Sequence, residues 1–268
     1  MLKEKKLRLR GEIKAAGQSI IAFSGGVDST VLAWVCQQEL GSHCQAITVD
    51  NGLMSKSELA RAGELARDLG LNHSLLKLGL REQEEIRTNQ PRRCYYCKKF
   101  IFTRLLELAR PQGSQVMEGS HQEDSQGYRP GQQALKELGI LSPLQKYGFS
   151  KKEIRQWAWE LGLPNWQAAA TPCLATRFPY GQHLNLQLLE RVEEAEDILR
   201  QAGFKQFRVR SHGDLARIEV DPTERQRFFD SIFMDKIAMA FKELGYIYVS
   251  LDLKGYRMGS LDEKIIGE

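Results

Sequence analysis

This sequence predicts an α/β fold, a parallel sheet covered by helices on both faces, followed by a smaller α+β unit. Two observations carry that reading. Short apolar runs alternate with stretches of helical apolar spacing from residue 19 to residue 161, the pattern of repeated strand–helix crossovers. Around residues 164–181 the alternation fails in a stretch holding Pro172, Pro179 and Gly181, and a new order of elements begins beyond it.

Element by element, residues 1–16 set Leu7, Leu9 and Ile13 among many Lys and Arg and read as a basic amphipathic helix with a mainly solvated face. The run 19–23 is a strand, 24–29 a glycine-rich turn and 30–39 a helix. Strands follow at 45–49, 72–78 and 115–118, and helices at 55–69, 98–109 and 151–161. Past the break, a helix at 186–202 precedes strands at 207–210 and 216–220. A helix at 222–244, with Pro222 in its first turn, then leads to a strand at 246–251. The expected division is a domain over 1–170 and a second over 171–268, the latter including the loop that carries Cys173.

Composition bounds the function classes. With 42% hydrophobic and 27% charged residues the chain is globular in character, and it shows no tract apolar enough to span a bilayer and no charged-then-apolar leader, so a cytoplasmic protein is expected. A formal charge of +4 is too mild to demand nucleic acid and suits a phosphate-bearing small ligand. Five cysteines, an odd number, argue against a disulfide framework and for metal binding or reactive thiols.

Ser24-Gly25-Gly26-Val27-Asp28-Ser29 stands where a phosphate site belongs, at the carboxyl end of the first strand and the start of the next helix. Gly25 and Gly26 let backbone N–H groups face an anion, and Ser24 and Ser29 add hydroxyls. A carboxylate at Asp28 repels phosphate unless Mg²⁺ lies between, so Asp28 is assigned to the metal or to backbone orientation. The lysine of a Walker loop is absent from this string. An ordinary glycine turn would account for a lone Gly-Gly, but not for the whole string at such a junction. Asp50, in Val49-Asp50-Asn51-Gly52 at the end of the second strand, either borders the ligand or shapes a turn.

Cys94 and Cys97 form a CxxC among Arg92, Arg93 and Lys98, just before a helix, where cations and helix amides favour thiolate. Cys173 lies between Pro172 and Pro179 beside Arg177. Three loop cysteines are one short of a closed structural zinc shell, whereas a [4Fe–4S] cluster held by three thiolates leaves one iron open. Zinc and a redox pair remain as alternatives for the CxxC. Cys36 and Cys44 read as small core hydrophobes.

The string at 24–29 resembles the hallmark of the PP-loop ATP pyrophosphatases, the adenine nucleotide alpha-hydrolase type of Rossmann-like sheet. The resemblance implies ATP cleaved between its α and β phosphates, with 49–52 bordering the adenosine. The stretch from Cys173 to Gly181, the stretch from Arg208 to Val220, Tyr128-Arg129-Pro130-Gly131 and Leu141-Ser142-Pro143-Leu144 look like the LarE-type sulfur-insertion enzymes of nickel-pincer nucleotide biosynthesis. That likeness implies adenylation of a carboxylate of pyridinium-3,5-dicarboxylate mononucleotide, followed by displacement of AMP by sulfur. It implies substrate-binding roles for Arg177, Glu196, Arg208 and Arg210, and a homo-oligomer. Relatives that sacrifice a cysteine carry a single one, matched by Cys173; three cysteines at Cys94, Cys97 and Cys173 resemble the cluster-bearing branch. The string 118–124 departs from the usual pattern, which leaves His121 as a surface loop residue.

Three other readings compete with sulfur insertion into a small nucleotide, one of them amidation by ammonia as in PP-loop synthetases, which would leave the cysteines unexplained. A tRNA-thiolating PP-loop enzyme would share the three cysteines, although neither the mild charge nor a basic arm favours it. A non-catalytic nucleotide-binding protein with zinc on its CxxC would show zinc without iron or acid-labile sulfide. No source of sulfide is legible.

Overall fold

A computed structural model describes residues 2–79, 83–125, 129–169 and 171–257. Tyr128 and the end of the second expected domain lie outside the described residues. The chain divides into two compact units, Met1–Ile86 with Pro91–Thr171, and Arg87–Gln90 with Pro172–Glu268.

The first unit begins with α1 (Leu2–Ala16), β1 (Ser19–Ala22), α2 (Val27–Leu40), β2 (Cys44–Asp50), α3 (Lys56–Asp68) and β3 (His73–Lys77). The short α4 (Glu84–Arg87) leads to α5 (Arg93–Ala109), β4 (Gln115–Met117), α6 (Pro130–Glu137), α7 (Pro143–Lys146) and α8 (Lys151–Glu160). All four strands are parallel, in the order β3-β2-β1-β4. The order reverses at β1, so the carboxyl end of β1 is the switch point where such sheets bind ligands.

Side chains on successive strand residues point to opposite faces, and both faces are dry. Ile21, Ala46 and Met117 enter one core with α1, α2 and α8. Ile20, Ile47 and Val116 enter the other with α5 and α6. Along α2, Val27, Val31, Leu32, Ala33, Val35 and Cys36 are all buried, as a helix apolar around most of its circumference requires.

The second unit contains α9 (Leu186–Gln201), β5 (Phe207–His212), β6 (Leu215–Val220), α10 (Ser231–Glu243) and β7 (Tyr248–Leu251). β5 pairs antiparallel with β6, and β6 pairs parallel with β7. Its core gathers Leu199, Phe204, Val209, Ile218, Phe241 and Tyr246. Among the described residues no helix is long and apolar enough to cross a membrane.

The basic N-terminal helix is amphipathic as expected, with Leu9 and Ile13 fully buried, although Leu7 is 62% exposed. Its cations also meet partners, Lys5 pairing with Glu153 at 2.7 Å and Lys14 with Glu39 at 3.0 Å. The CxxC does not precede a helix but occupies the first turns of α5, so Cys94 and Cys97 share a helix face. Only Cys173 of the three is a loop cysteine. The single helix over 222–244 is two pieces, a 3₁₀ turn at Pro222–Phe229 and α10. Asp230 divides them because its side chain accepts from the Phe233 amide at 3.0 Å, a cap that starts a helix afresh. Finally, α6 and α7 were not expected; Pro130 and Pro143 open them in the first turn, where proline is tolerated.

Truncating Ile13 to Ala empties a fully buried site and is expected to destabilise the first unit by roughly 2–5 kcal/mol, against at most about 0.5 kcal/mol for Leu7→Ala. Urea unfolding of the two variants checks it; equal midpoints would show that α1 is not part of the core.

Candidate functional site

The loop after β1 is folded by its own side chains. Gly25 takes φ +74, and a methyl group there would meet Ala62 at 3.1 Å, so both its conformation and its neighbours require glycine. Gly26 is the N-cap of α2 and no side chain caps that end. The Ser29 hydroxyl lies 3.0 Å from the Gly26 carbonyl and 3.1 Å from the Ser24 hydroxyl, and the Ser24 amide points to it at 3.2 Å. Thr30 Oγ1 also donates to the Gly26 carbonyl, at 2.9 Å. Asn165, from the segment after α8, donates to the Gly25 carbonyl and to Thr30 Oγ1, both at 2.9 Å. With the carbonyls tied up in this way, the amides at the start of α2 form the face offered to an anion.

Gly119, just past β4, is pressed against the same place. A methyl group on it would sit 2.8 Å from the Ser29 amide nitrogen and 3.0 Å from the Asp28 carbonyl carbon, both rigid backbone atoms.

The cation missing from the loop string arrives from elsewhere. Lys151 Nζ is 2.5 Å from Asp28 Oδ2. Lys151 is the first residue of α8, which Ser150 and Glu153 open with a reciprocal capping box. The Lys151 amide also donates to both oxygens of Glu123, at 3.1 and 3.2 Å. Burial pushes the Glu123 carboxyl up, but the Lys151 amide and His121 outweigh it and hold it below the usual carboxylate range. The other oxygen of Asp28, Oδ1, is buried with no hydrogen-bond partner among the described residues. A buried carboxylate oxygen without a donor is suited to a cation.

His121 is not the surface residue expected: its side chain is 12% exposed, with Nδ1 2.8 Å from Glu123 Oε2 and Nε2 3.5 Å from Asp124. Asp50, at the end of β2, shapes a turn, its Oδ1 accepting from the Gly52 amide at 3.1 Å.

Near the start of α5, the Asn51 amide donates to Cys97 Sγ at 3.2 Å, and Arg93 Nη2 approaches Cys94 Sγ at 3.7 Å. Cys94 is exposed and Cys97 half-buried. Each of the two sulfurs thus faces a nitrogen donor. Among the described residues no three His, Cys, Asp or Glu side chains converge closely enough to hold a metal ion, so within this unit the thiol set stands at two. Cys36 and Cys44 are core residues, 0% and 1% exposed, and burial followed by the Cys44 contact pushes the Cys36 thiol well up.

In the second unit, Arg177 is 2% exposed and spends its fork on the protein. Nε and Nη2 each reach Glu196 at 2.9 Å, and Nη1 donates to the carbonyls of Pro172 and Cys173 at 2.7 and 3.2 Å. The Thr176 hydroxyl and amide add bonds to the Cys173 carbonyl at 2.9 and 3.0 Å. The backbone at Cys173 is thereby clamped while its thiol stays half-buried. Asn89, in the segment between α4 and α5, fastens the same loop by donating to the Pro179 carbonyl at 2.9 Å.

Arg210 pairs bidentately with Glu219 at 3.1 and 2.9 Å and donates to the Thr176 carbonyl at 2.6 Å. Arg208, two residues along β5, has no carboxylate within ion-pair distance among the described residues; it donates to the Phe207 carbonyl and lies over the Tyr256 ring. Burial first, then the neighbouring Arg177 charge, pulls its guanidinium below its ordinary pKa, with Glu196 offsetting part of this.

Sequence reasoning missed Lys151, Glu123, Gly119, Asn165 and Asn89. For Lys151 one signal was present, the Ser150-to-Glu153 capping box that fixes where α8 begins.

Replacing Glu196 by Ala leaves the Arg177 guanidinium buried without its carboxylate and is expected to cost roughly 3–5 kcal/mol. Thermal or urea unfolding followed by second-unit aromatic signals measures this; a loss under about 1 kcal/mol, the range of a surface pair, contradicts it.

Comparison with known proteins bears on the same residues. Residues 18–89 match the family described as queuosine biosynthesis protein QueC. An uncharacterized protein of Synechocystis sp. is 40% identical over 263 residues, covering 98% of each chain. The pyridinium-3,5-bisthiocarboxylic acid mononucleotide synthase of Lactiplantibacillus plantarum is 36% identical over 266 residues, 98% of this chain and 96% of that protein. A subunit of the glutamine-hydrolyzing GMP synthase of Methanococcoides burtonii is 29% identical over 207 residues, 70% of this chain and 64% of that one. Given near-complete coverage by the synthase and an intact loop at 24–29, the chain belongs to the family of the pyridinium-3,5-bisthiocarboxylic acid mononucleotide synthase, the LarE-type branch of the PP-loop ATP pyrophosphatases.

Proposed function

We propose that this protein is an ATP-dependent sulfur transferase acting on pyridinium-3,5-dicarboxylate mononucleotide. The observation that carries the proposal is the pairing of a phosphate-cradling loop, whose Asp28 has one buried oxygen unclaimed, with a family relative that makes the bisthiocarboxylate of such a nucleotide. A substrate carboxylate oxygen attacks the α-phosphorus of ATP, the bond to the bridging oxygen of the β-phosphate breaks, and pyrophosphate leaves. A sulfur nucleophile then attacks the acyl carbon of the adenylate, and AMP departs with the electron pair of the C–O bond.

The residues divide the labour. Amides at the start of α2, with Ser24 and Ser29, bind phosphate oxygens, and Asp28 Oδ1 is the atom suited to Mg²⁺, which would neutralise the pyrophosphate as it leaves. Lys151, parked on Asp28 Oδ2, is within reach of the same charge. Of the arginines, Arg208 has donors to spare for an anionic substrate group, and an anion beside it would relieve the repulsion it meets from Arg177. Arg177 and Arg210, both in bidentate pairs, are proposed to shape the site and hold Cys173 in place. We extend the proposal to a [4Fe–4S] cluster with Cys94, Cys97 and Cys173 as its ligands, supported by the three-cysteine pattern and by donors aimed at both CxxC sulfurs. A cluster held by three thiolates supplies an iron open to sulfide.

Mixing the protein with Mg-ATP and the dicarboxylate nucleotide should yield AMP and pyrophosphate in equal amounts with a thiocarboxylate product. Asp28→Asn and Lys151→Ala are each expected to slow the adenylation step about 10²-fold or more, the size of losing one charge-stabilising group. AMP formation unaffected by either change would remove these residues from the chemistry.

Anaerobic purification should return iron and acid-labile sulfide, both lost in Cys94→Ala. Zinc alone, or conversion of Cys173 to dehydroalanine after one turnover, would overturn the cluster and, in the second case, make Cys173 the sulfur donor. Retention of tRNA that weakens steeply with salt would favour a nucleic-acid substrate instead.

A further inference from the structure

Asn51 is the residue after β2 and is only 7% exposed. Its side chain has two assigned partners, and they fix its orientation. Oδ1 accepts from the Leu53 amide at 3.1 Å, so the oxygen must face that N–H and the NH₂ must face Cys97 Sγ, 3.2 Å away. Flipping the amide would set donor against donor. The turn that carries it is stiff. Asp50 makes the same kind of bond one residue earlier, to the Gly52 amide at 3.1 Å, and Gly52 adopts φ +76.

This turn lies at the carboxyl edge of the sheet, one strand from the phosphate loop. The Phe23 amide donates to the Ile47 carbonyl at 2.8 Å and Thr48 Oγ1 donates to the Phe23 carbonyl at 2.9 Å, so β2 and the entrance to the loop are tied together immediately before both reach the ligand face. A nucleotide seated on the loop at 24–29 rests beside the turn at 50–53. The side chain reporting the turn's position is hydrogen-bonded to a sulfur 46 residues further along.

We propose that Asn51 is a positioning residue that couples occupancy of the nucleotide site to the Cys97 sulfur. The inference rests on the nucleotide reading above. Nucleotide contact biases the turn, the Asn51 amide moves with it, and the orientation and accessibility of Sγ follow. A coupling of this kind acts in both directions: if ATP alters the surroundings of Cys97, modification of Cys97 alters ATP affinity.

The test uses the full chain, thiols reduced and metal removed, so that it is independent of turnover. Alkylation of Cys97 by iodoacetamide is followed peptide by peptide with and without saturating Mg-ATP, and ATP affinity is measured by calorimetry. In the wild-type protein ATP is expected to change the Cys97 rate by about fivefold or more, the low end of site-to-site coupling, and alkylated protein should bind ATP with an altered affinity. Asn51→Asp keeps the oxygen that accepts from Leu53 but presents an acceptor to the sulfur. It should still bind ATP and lose the ATP effect on Cys97, as should Asn51→Ala.

A wild-type Cys97 rate indifferent to ATP overturns the inference, as does an undiminished ATP effect in Asn51→Asp, which would mean that the nucleotide shields the thiol directly. Failure of the wild-type protein to bind ATP at all would overturn the nucleotide reading, a result distinguishable by the calorimetry alone.

Discussion

The backbone of Gly119 passes so near the first turn of α2 that a methyl group would lie 2.8 Å from the Ser29 nitrogen, and much of the first unit is arranged around that approach. Two parallel strands, β1 and β4, deliver their carboxyl ends to one point because the sheet order reverses there. Only residues without a Cβ let the two connections meet. The loop then closes on itself through Ser24, Ser29 and Thr30, leaving the amides at the start of α2 unclaimed by any capping side chain. An uncapped helix end is a stability cost that a bound anion offsets.

Within each unit the charges divide into committed and uncommitted. Asp28 is half-committed, one oxygen on Lys151 and the other buried without a donor. In the second unit Arg177 and Arg210 are committed to Glu196 and Glu219, while Arg208, beside the Arg177 charge, has no carboxylate at ion-pair distance among the described residues. Buried bidentate pairs contribute little net stability on balance but are costly to break, so they fix geometry more than they add free energy. What Arg177 fixes is the backbone on either side of the Cys173 carbonyl.

Local features of this molecule were legible and long-range ones were not. The glycine string, the short apolar strand runs at 19–23 and 45–49, and the burial of Cys36 and Cys44 all follow from neighbours within a few residues. Helix ends were read less well, since the CxxC falls inside α5 and Asp230 restarts a helix that apolar spacing would have run through. Lys151 meets Asp28 across 123 positions and Asn51 meets Cys97 across 46, separations at which periodicity carries no information. Leu7 was grouped with Leu9 and Ile13 by apolar character alone, yet only Leu9 and Ile13, four residues apart on one helix face, are buried.

Residues Arg87–Gln90 belong to the second unit although the chain on either side of them belongs to the first. Neither unit is therefore a contiguous stretch of gene. Expressing 172–268 alone would omit Asn89, whose buried side chain and φ of +51 serve the loop that bears Cys173, and a fragment ending at 171 would carry those four residues with nothing to bind. Dissection of this enzyme by truncation is thus poorly suited to its topology, and a split protein or a circular permutant would respect it better.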